Sequence, residues 1–191
     1  MELKILHENQ RAAQEALLRC FRSGGKLLLC GNGGSAADCA HIQGELVKGF
    51  IKKRPLSAAL RARLGGWADE MQQGLPAIDL TANGALIAAV CNDLDARNAY
   101  AQQVMAFGRP GDVLLGISTS GNAENVCRAL LTARALGLVA IGLTGESGGR
   151  MKDCCDILLN VARRETYLVQ EEHIRLYHQL CAAVEDALFE E

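Results

Sequence analysis

Hydrophobic positions along the chain follow two periods in turn. Residues 8–22, ENQRAAQEALLRCFR, carry apolar side chains at helical spacing, and SGG at 23–25 stops them. A short apolar strand follows at 26–30, then a glycine loop and a helix from about 35 to 47. Segment 48–75 is less regular. It holds Pro55, the helical piece SAALRARL and the sole tryptophan, Trp67, with Pro76 just beyond. From residue 75 the pattern regularises: LPAIDL reads as a strand, ANGALIAAVCNDL as a helix, and NAYAQQVMAFG as another helix closed by its glycine. DVLLGIS at 112–118 is a strand, STSGN a loop, and NVCRALLTARALG the body of a long helix. LVAIGLTG and CDILLNV supply two further strands, and VQEEHIRLYHQLCAAVEDALFEE ends the chain as a long helix. Strands apolar on both faces, alternating with helices, predict a parallel sheet covered on both sides. One sheet needs strands from both sides of the irregular segment, so residues 1–191 are expected to form a single domain with an insertion at about 51–74.

Composition narrows the function classes. A chain of 191 residues with 49% apolar and 22% charged residues suits one soluble core. Aromatics at 4% leave little surface for stacking on bases, and a net charge of −2 offers no basic footprint, so neither nucleic acid nor an anionic membrane is an expected partner. The cluster Lys52, Lys53, Arg54 reads as a solvated loop. The N-terminus lacks the apolar stretch of a secretory signal, and no apolar run reaches membrane-spanning length. Of the eight cysteines, Cys20, Cys30, Cys91, Cys127 and Cys181 fall inside apolar helix or strand patterns, and no CxxC pair occurs. Buried free thiols and a cytoplasmic location are the expectation.

Two loops at strand ends carry unusual chemistry. In GNGGS at 31–35, glycines let backbone N–H groups approach an oxyanion at the start of a helix. The stretch is neither GxGxxG nor a Walker pattern, so dinucleotides and nucleoside triphosphates are poor fits. In STSGN, Ser118, Thr119 and Ser120 are three consecutive hydroxyls before a helix expected from Asn122, more than an N-cap needs, and each can donate to a phosphate oxygen. Neither loop contains Lys or Arg, which suits a monophosphate held by neutral donors.

His41 and Glu45, spaced i and i+4, share one helix face just after the glycine loop. An imidazole and a carboxylate at this spacing are half of a zinc site or a surface pair. Gln170, His173 and His178 lie in the last helix. Eight helical residues rise about 12 Å, so Gln170 and His178 cannot meet one ion from one straight helix. Either the helix starts after Gln170 or a second copy of the chain supplies one ligand. Tyr177 and Leu176 read as packing, Glu171, Glu172 and Arg175 as a solvated face, and Leu176, Leu180, Val184 and Leu188 as an apolar seam.

Taken in order, GNGGSAAD with AHIQGEL, CND, GISTSGNAENV, LTGESGG and VQEEHIRLYH resemble the bacterial phosphoheptose isomerases, sugar-isomerase (SIS) domain proteins. The resemblance runs from about residue 20 to the C-terminus, interrupted at 51–74. It implies a flavodoxin-like three-layer α-β-α sandwich around a five-stranded parallel sheet, with a long C-terminal helix. It further implies a homotetramer with active sites between subunits, conversion of sedoheptulose 7-phosphate to a heptose 7-phosphate, and a zinc cofactor. By the same resemblance, Asn32, Gly33, Gly34 and Ser35 form the substrate loop, Asn92 and Asp93 contact the sugar, and Ser118, Thr119 and Ser120 bind phosphate. His41, Glu45, Gln170 and His178 are the implied metal ligands, Gln170 also facing substrate, and Glu45 and His178 the acid–base pair. The family commonly has a further serine where this chain has Ala123, a lost donor worth roughly 1 kcal/mol. Trp67, with Leu60 and Leu64, reads as packing on a neighbour rather than as a cover for substrate.

Two other readings compete. A non-catalytic SIS protein that binds a phosphosugar or a partner, as a relative that regulates the replication initiator does, would lack the acid–base and metal residues; all four positions are filled here. An isomerase of another phosphosugar is compatible with the same residues.

Overall fold

The computed structural model describes residues 2–189. Five strands form one wholly parallel sheet: β1 (Leu27–Gly31), β2 (Ala77–Asp79), β3 (Val113–Ser118), β4 (Val139–Thr144) and β5 (Ile157–Asn160). Their order is β2-β1-β3-β4-β5. The helices are α1 (Glu2–Arg22), α2 (Gly34–Val47), α3 (Ala58–Leu64), α4 (Gly84–Asp93), α5 (Ala99–Phe107), α6 (Glu124–Ala135) and α7 (Thr166–Leu188).

Successive strand residues point to opposite faces, and each face here has its own apolar layer. Leu27 and Leu29 join Leu17 of α1, Ile42 and Leu46 of α2, and Leu176, Leu180 and Val184 of α7. Leu28 and Cys30 join Tyr100 and Val104 of α5 and Val126 and Leu130 of α6 on the other side. Every residue of β1 and β3 is buried, as a doubly covered parallel sheet requires. The result is the expected three-layer α/β sandwich. The seam of the terminal helix packs into this core, with Leu188 partly buried beside it.

The structure refines several expectations. Helix α7 begins at Thr166, so Gln170 and His178 do share one continuous helix. Segment 51–74 contains α3 and a 3-10 turn, Gly66–Glu70. Its root is fastened, with the Gln73 N–H donating to Arg54 O at 2.7 Å and the Leu75 N–H to Leu46 O at 2.9 Å. Trp67 and Leu60 are exposed, so neither is part of the core of its own chain.

The basic cluster is not a uniformly solvated loop either. Arg54 is fully buried and donates from Nε to Glu185 Oε1 at 2.7 Å, from Nη1 to Leu46 O at 2.6 Å and from Nη2 to Glu45 O at 3.2 Å. Glu185, itself buried, also accepts the N–H groups of Phe50, Ile51 and Lys52. Burial pushes its carboxyl up, but the three amides and the guanidinium more than offset that and leave it below the ordinary carboxylate range. The pair satisfies the last carbonyls of α2, which have no helical partners of their own.

Six of the eight cysteines are buried, Cys91 is exposed against expectation, Cys155 is intermediate, and all eight are free thiols. Among the described residues no helix is long and apolar enough to cross a membrane.

Candidate active site

The strand order reverses direction between β1 and β3, and in an open α/β sheet the ligand crevice lies beyond the carboxyl ends at that point. The two chemically unusual loops leave these two strands. After β1, Gly33 takes φ +56°, a conformation that favours glycine, and opens α2 without any side-chain cap. Asn32 instead forms a reciprocal amide pair with Asn125 at 3.0 and 2.9 Å, and Tyr100 donates its hydroxyl to Gly31 O at 2.6 Å. Ser35 is buried in the first turn. The Gln170 amide lies directly over Gly34: a Cβ there would come within 2.2 Å of Nε2.

After β3, Ser118 is buried, Thr119 half-buried and Ser120 exposed. Helix α6 starts at Glu124, two residues later than the sequence suggests, and has no side-chain cap. The three hydroxyls are therefore not consumed by capping; Ser120 Oγ accepts the Asn122 N–H at 3.2 Å. Gly121, at φ +68°, packs against the loop after β4, where a Cβ would fall 2.2 Å from Gly148 O. The Met151 N–H donates to Gly121 O at 2.9 Å and the Arg150 N–H to Asn122 Oδ1 at 3.1 Å. LTGESGG thus braces the hydroxyl loop from behind.

Further along, α2 and α7 run side by side in the same direction, from Gly34 beside Gln170 to His41 beside His178. His41 Nε2 lies 3.1 Å from Glu45 Oε1 and 3.3 Å from His178 Nε2. One ligand atom from each of His41, Glu45 and His178 lies within 4.8 Å of the others. The Phe50 ring sits 5.3 Å from that of His178. Tyr177 OH is 2.9 Å from His41 Nδ1 and 3.3 Å from Asp38 Oδ1. Burial raises the Asp38 carboxyl, with Tyr177 and His41 partly offsetting the rise. Asn92 and Asp93 pair with each other at 2.7 Å on the exposed last turn of α4.

A family model for the SIS domain matches residues 3–62 and 56–145. The phosphoheptose isomerase of Desulfovibrio desulfuricans is 42% identical over 193 residues, covering 97% of this chain and 83% of that protein. The chain belongs to the phosphoheptose isomerase family. Another phosphoheptose isomerase, from Roseiflexus sp., is 43% identical over 180 residues, 94% of this chain and 82% of the relative. The solved structure of phosphoheptose isomerase GmhA from Neisseria gonorrhoeae superposes with a TM-score of 0.79 at 37% identity, covering 95% of this chain and 88% of that one.

The donor set suits the metal that resemblance to this phosphoheptose isomerase family implies. Two imidazoles and a carboxylate are ligands that borderline-soft zinc accepts, and nitrogens bound to one tetrahedral ion at about 2.0–2.1 Å would stand roughly 3.3 Å apart, the separation found between His41 and His178. Gln170 is not beside these three atoms in the chain; it stands two turns away, over the glycine loop. Sequence reasoning missed Asp38, Tyr100, Asn125 and the contact Tyr177 makes with His41. A signal existed for two of them, since Asp38 precedes His41 by three positions and Tyr177 adjoins His178. Nothing in the sequence announces that Tyr100 and Asn125 meet Asn32.

Proposed function

We infer that this chain is an aldose–ketose isomerase acting on sedoheptulose 7-phosphate and yielding the heptose 7-phosphate. The observation that carries the reading is the convergence of His41, Glu45 and His178 on parallel helices α2 and α7, in a chain whose uncapped hydroxyl loop ends the neighbouring strand. Ser118, Thr119 and Ser120 grip the phosphate; Asn32, Gly33, Gly34, Ser35, Asn92, Asp93 and Gln170 line the sugar. Glu45 removes a proton from C1 of the open-chain ketose while His178 protonates the C2 oxygen, giving an enediol. Glu45 then returns its proton to C2, and His178 accepts the one leaving the C1 oxygen. A zinc ion held by His41, Glu45 and His178 would supply a Lewis acid for the oxygen that becomes negative. Glu45 and His178 each carry a second heteroatom, so holding an ion through one leaves the other for protons.

Gln170 is about 12 Å of helix from His178, which supports a site shared between copies, with Gln170 and the phosphate loop of one facing the His41 cluster of another in a homotetramer. The whole chain acts as one domain, and its eight free thiols support a reducing, cytoplasmic setting.

The test is Glu45→Gln. Turnover of the heptulose phosphate is expected to drop by about 10²–10⁴-fold, while substrate binding measured by calorimetry persists. Normal turnover would remove Glu45 from the base role. Proton exchange by the parent protein on a five- or six-carbon ketose phosphate instead of the heptulose would reassign the substrate, and exchange on none would favour a binding protein.

A further inference from the structure

Tyr177 is almost fully buried, so its hydroxyl is placed rather than free to turn toward water. It bridges Asp38 Oδ1 at 3.3 Å and His41 Nδ1 at 2.9 Å. Asp38 lies three positions before His41 on α2 and is 7% exposed. An ionised carboxylate can only accept, so with Asp38 charged the Tyr177 hydroxyl donates to it. The phenol oxygen then offers His41 only lone pairs, and Nδ1 must carry the proton. Nε2 is left with a lone pair directed toward Glu45 and His178. We propose that Asp38 and Tyr177 form an outer relay that holds His41 in its Nδ1–H tautomer and so sets the affinity of the His41, Glu45, His178 cluster for a divalent cation.

The inference rests on the metal reading above. Its physical basis is that a ligating imidazole needs an acceptor for its other N–H, which fixes the tautomer and strengthens the lone pair given to the ion. Without the tyrosine hydroxyl, Nδ1–H would face a buried position with no acceptor. The opposite tautomer, in which Nε2–H donates to Glu45 at 3.1 Å, would then compete with the ion. Tyr177 and Asp38 are positioning residues: they act through His41 and touch no reacting atom. The tyrosine reads from sequence as core packing, and it does pack; the same side chain also carries this contact.

The experiment uses the full chain, stripped of metal and titrated with zinc against a chromophoric chelator. Tyr177→Phe is expected to bind zinc about 10–100-fold more weakly than the parent while keeping its circular dichroism spectrum. Asp38→Asn should weaken binding as well, and the double variant should be no worse than the weaker single, because the two residues act as one chain. In the zinc-loaded parent, the His41 Nδ1–H proton should give a slowly exchanging NMR resonance that disappears in Tyr177→Phe. A merely structural tyrosine would lower the melting temperature and leave both readouts in place. Affinity of Tyr177→Phe within twofold of the parent, with the resonance retained, overturns the relay and leaves the metal reading standing. A parent that takes up no zinc, or a His41→Ala variant that binds it as tightly, overturns the metal reading and the relay together.

Discussion

His173 sits on α7 four residues before Tyr177 and is completely buried. Burial pulls its imidazole down from 6.5 to about 4. The folded state therefore refuses a proton that the unfolded chain accepts below 6.5. Its contribution to stability is complete above that pH and shrinks as the pH falls toward 4, by about 3 kcal/mol in all. Urea denaturation between pH 7 and 4 should show this slope, and His173→Leu should flatten it; an unchanged slope would assign the acid sensitivity elsewhere. At this scale the sequence is legible where chemistry is local. His41 and Glu45 stand one helical turn apart, and their spacing alone puts them on one face. Arg54 was not legible as a buried cation, because its partners, Glu185 and two α2 carbonyls, are brought to it only by the fold. Tyr177 illustrates the same limit from the other side: an apolar seam predicts burial but says nothing about where a hydroxyl points.

Elements were largely readable, since strands apolar on both faces and glycine-terminated helices leave strong patterns. The boundary that mattered most shifted. Helix α6 begins after Ala123, so the hydroxyl loop is longer than a cap and is stiffened by its neighbour rather than by its own helix. The interlock of Gly121 with Gly148 has no sequence signature beyond the glycines themselves. Gly121→Ala forces a side chain into a left-handed backbone, at about 1–2 kcal/mol, and also against Gly148 O. The expected result is a lower melting temperature and a several-fold higher KM for the phosphosugar, with a smaller change in kcat. A variant with unaltered KM would show that the brace does not shape phosphate binding.

At the scale of the whole molecule, the strand order places both loops at one switch point, and periodicity cannot supply that order; the family resemblance gave the flavodoxin-like parallel sheet of five strands in which it is found. The separation between Gln170 and the three-residue cluster makes a prediction that only an assembly can meet. Glu45→Gln and Gln170→Ala are each expected to be inactive. Mixed and reassembled at equal amounts, they should recover about a quarter of parental activity if each site draws on two copies, and none if every site is built from one chain. The recovered rate, measured against mixing ratio, decides between these. The buried Arg54–Glu185 pair adds a different consequence. Glu185 lies two turns beyond His178, yet its partner grips the carbonyl of Glu45 itself. An unbiased screen for inactive variants would thus flag position 185 alongside the reactive groups. The culprit would be a lost anchor beneath Glu45, not a lost participant in the chemistry.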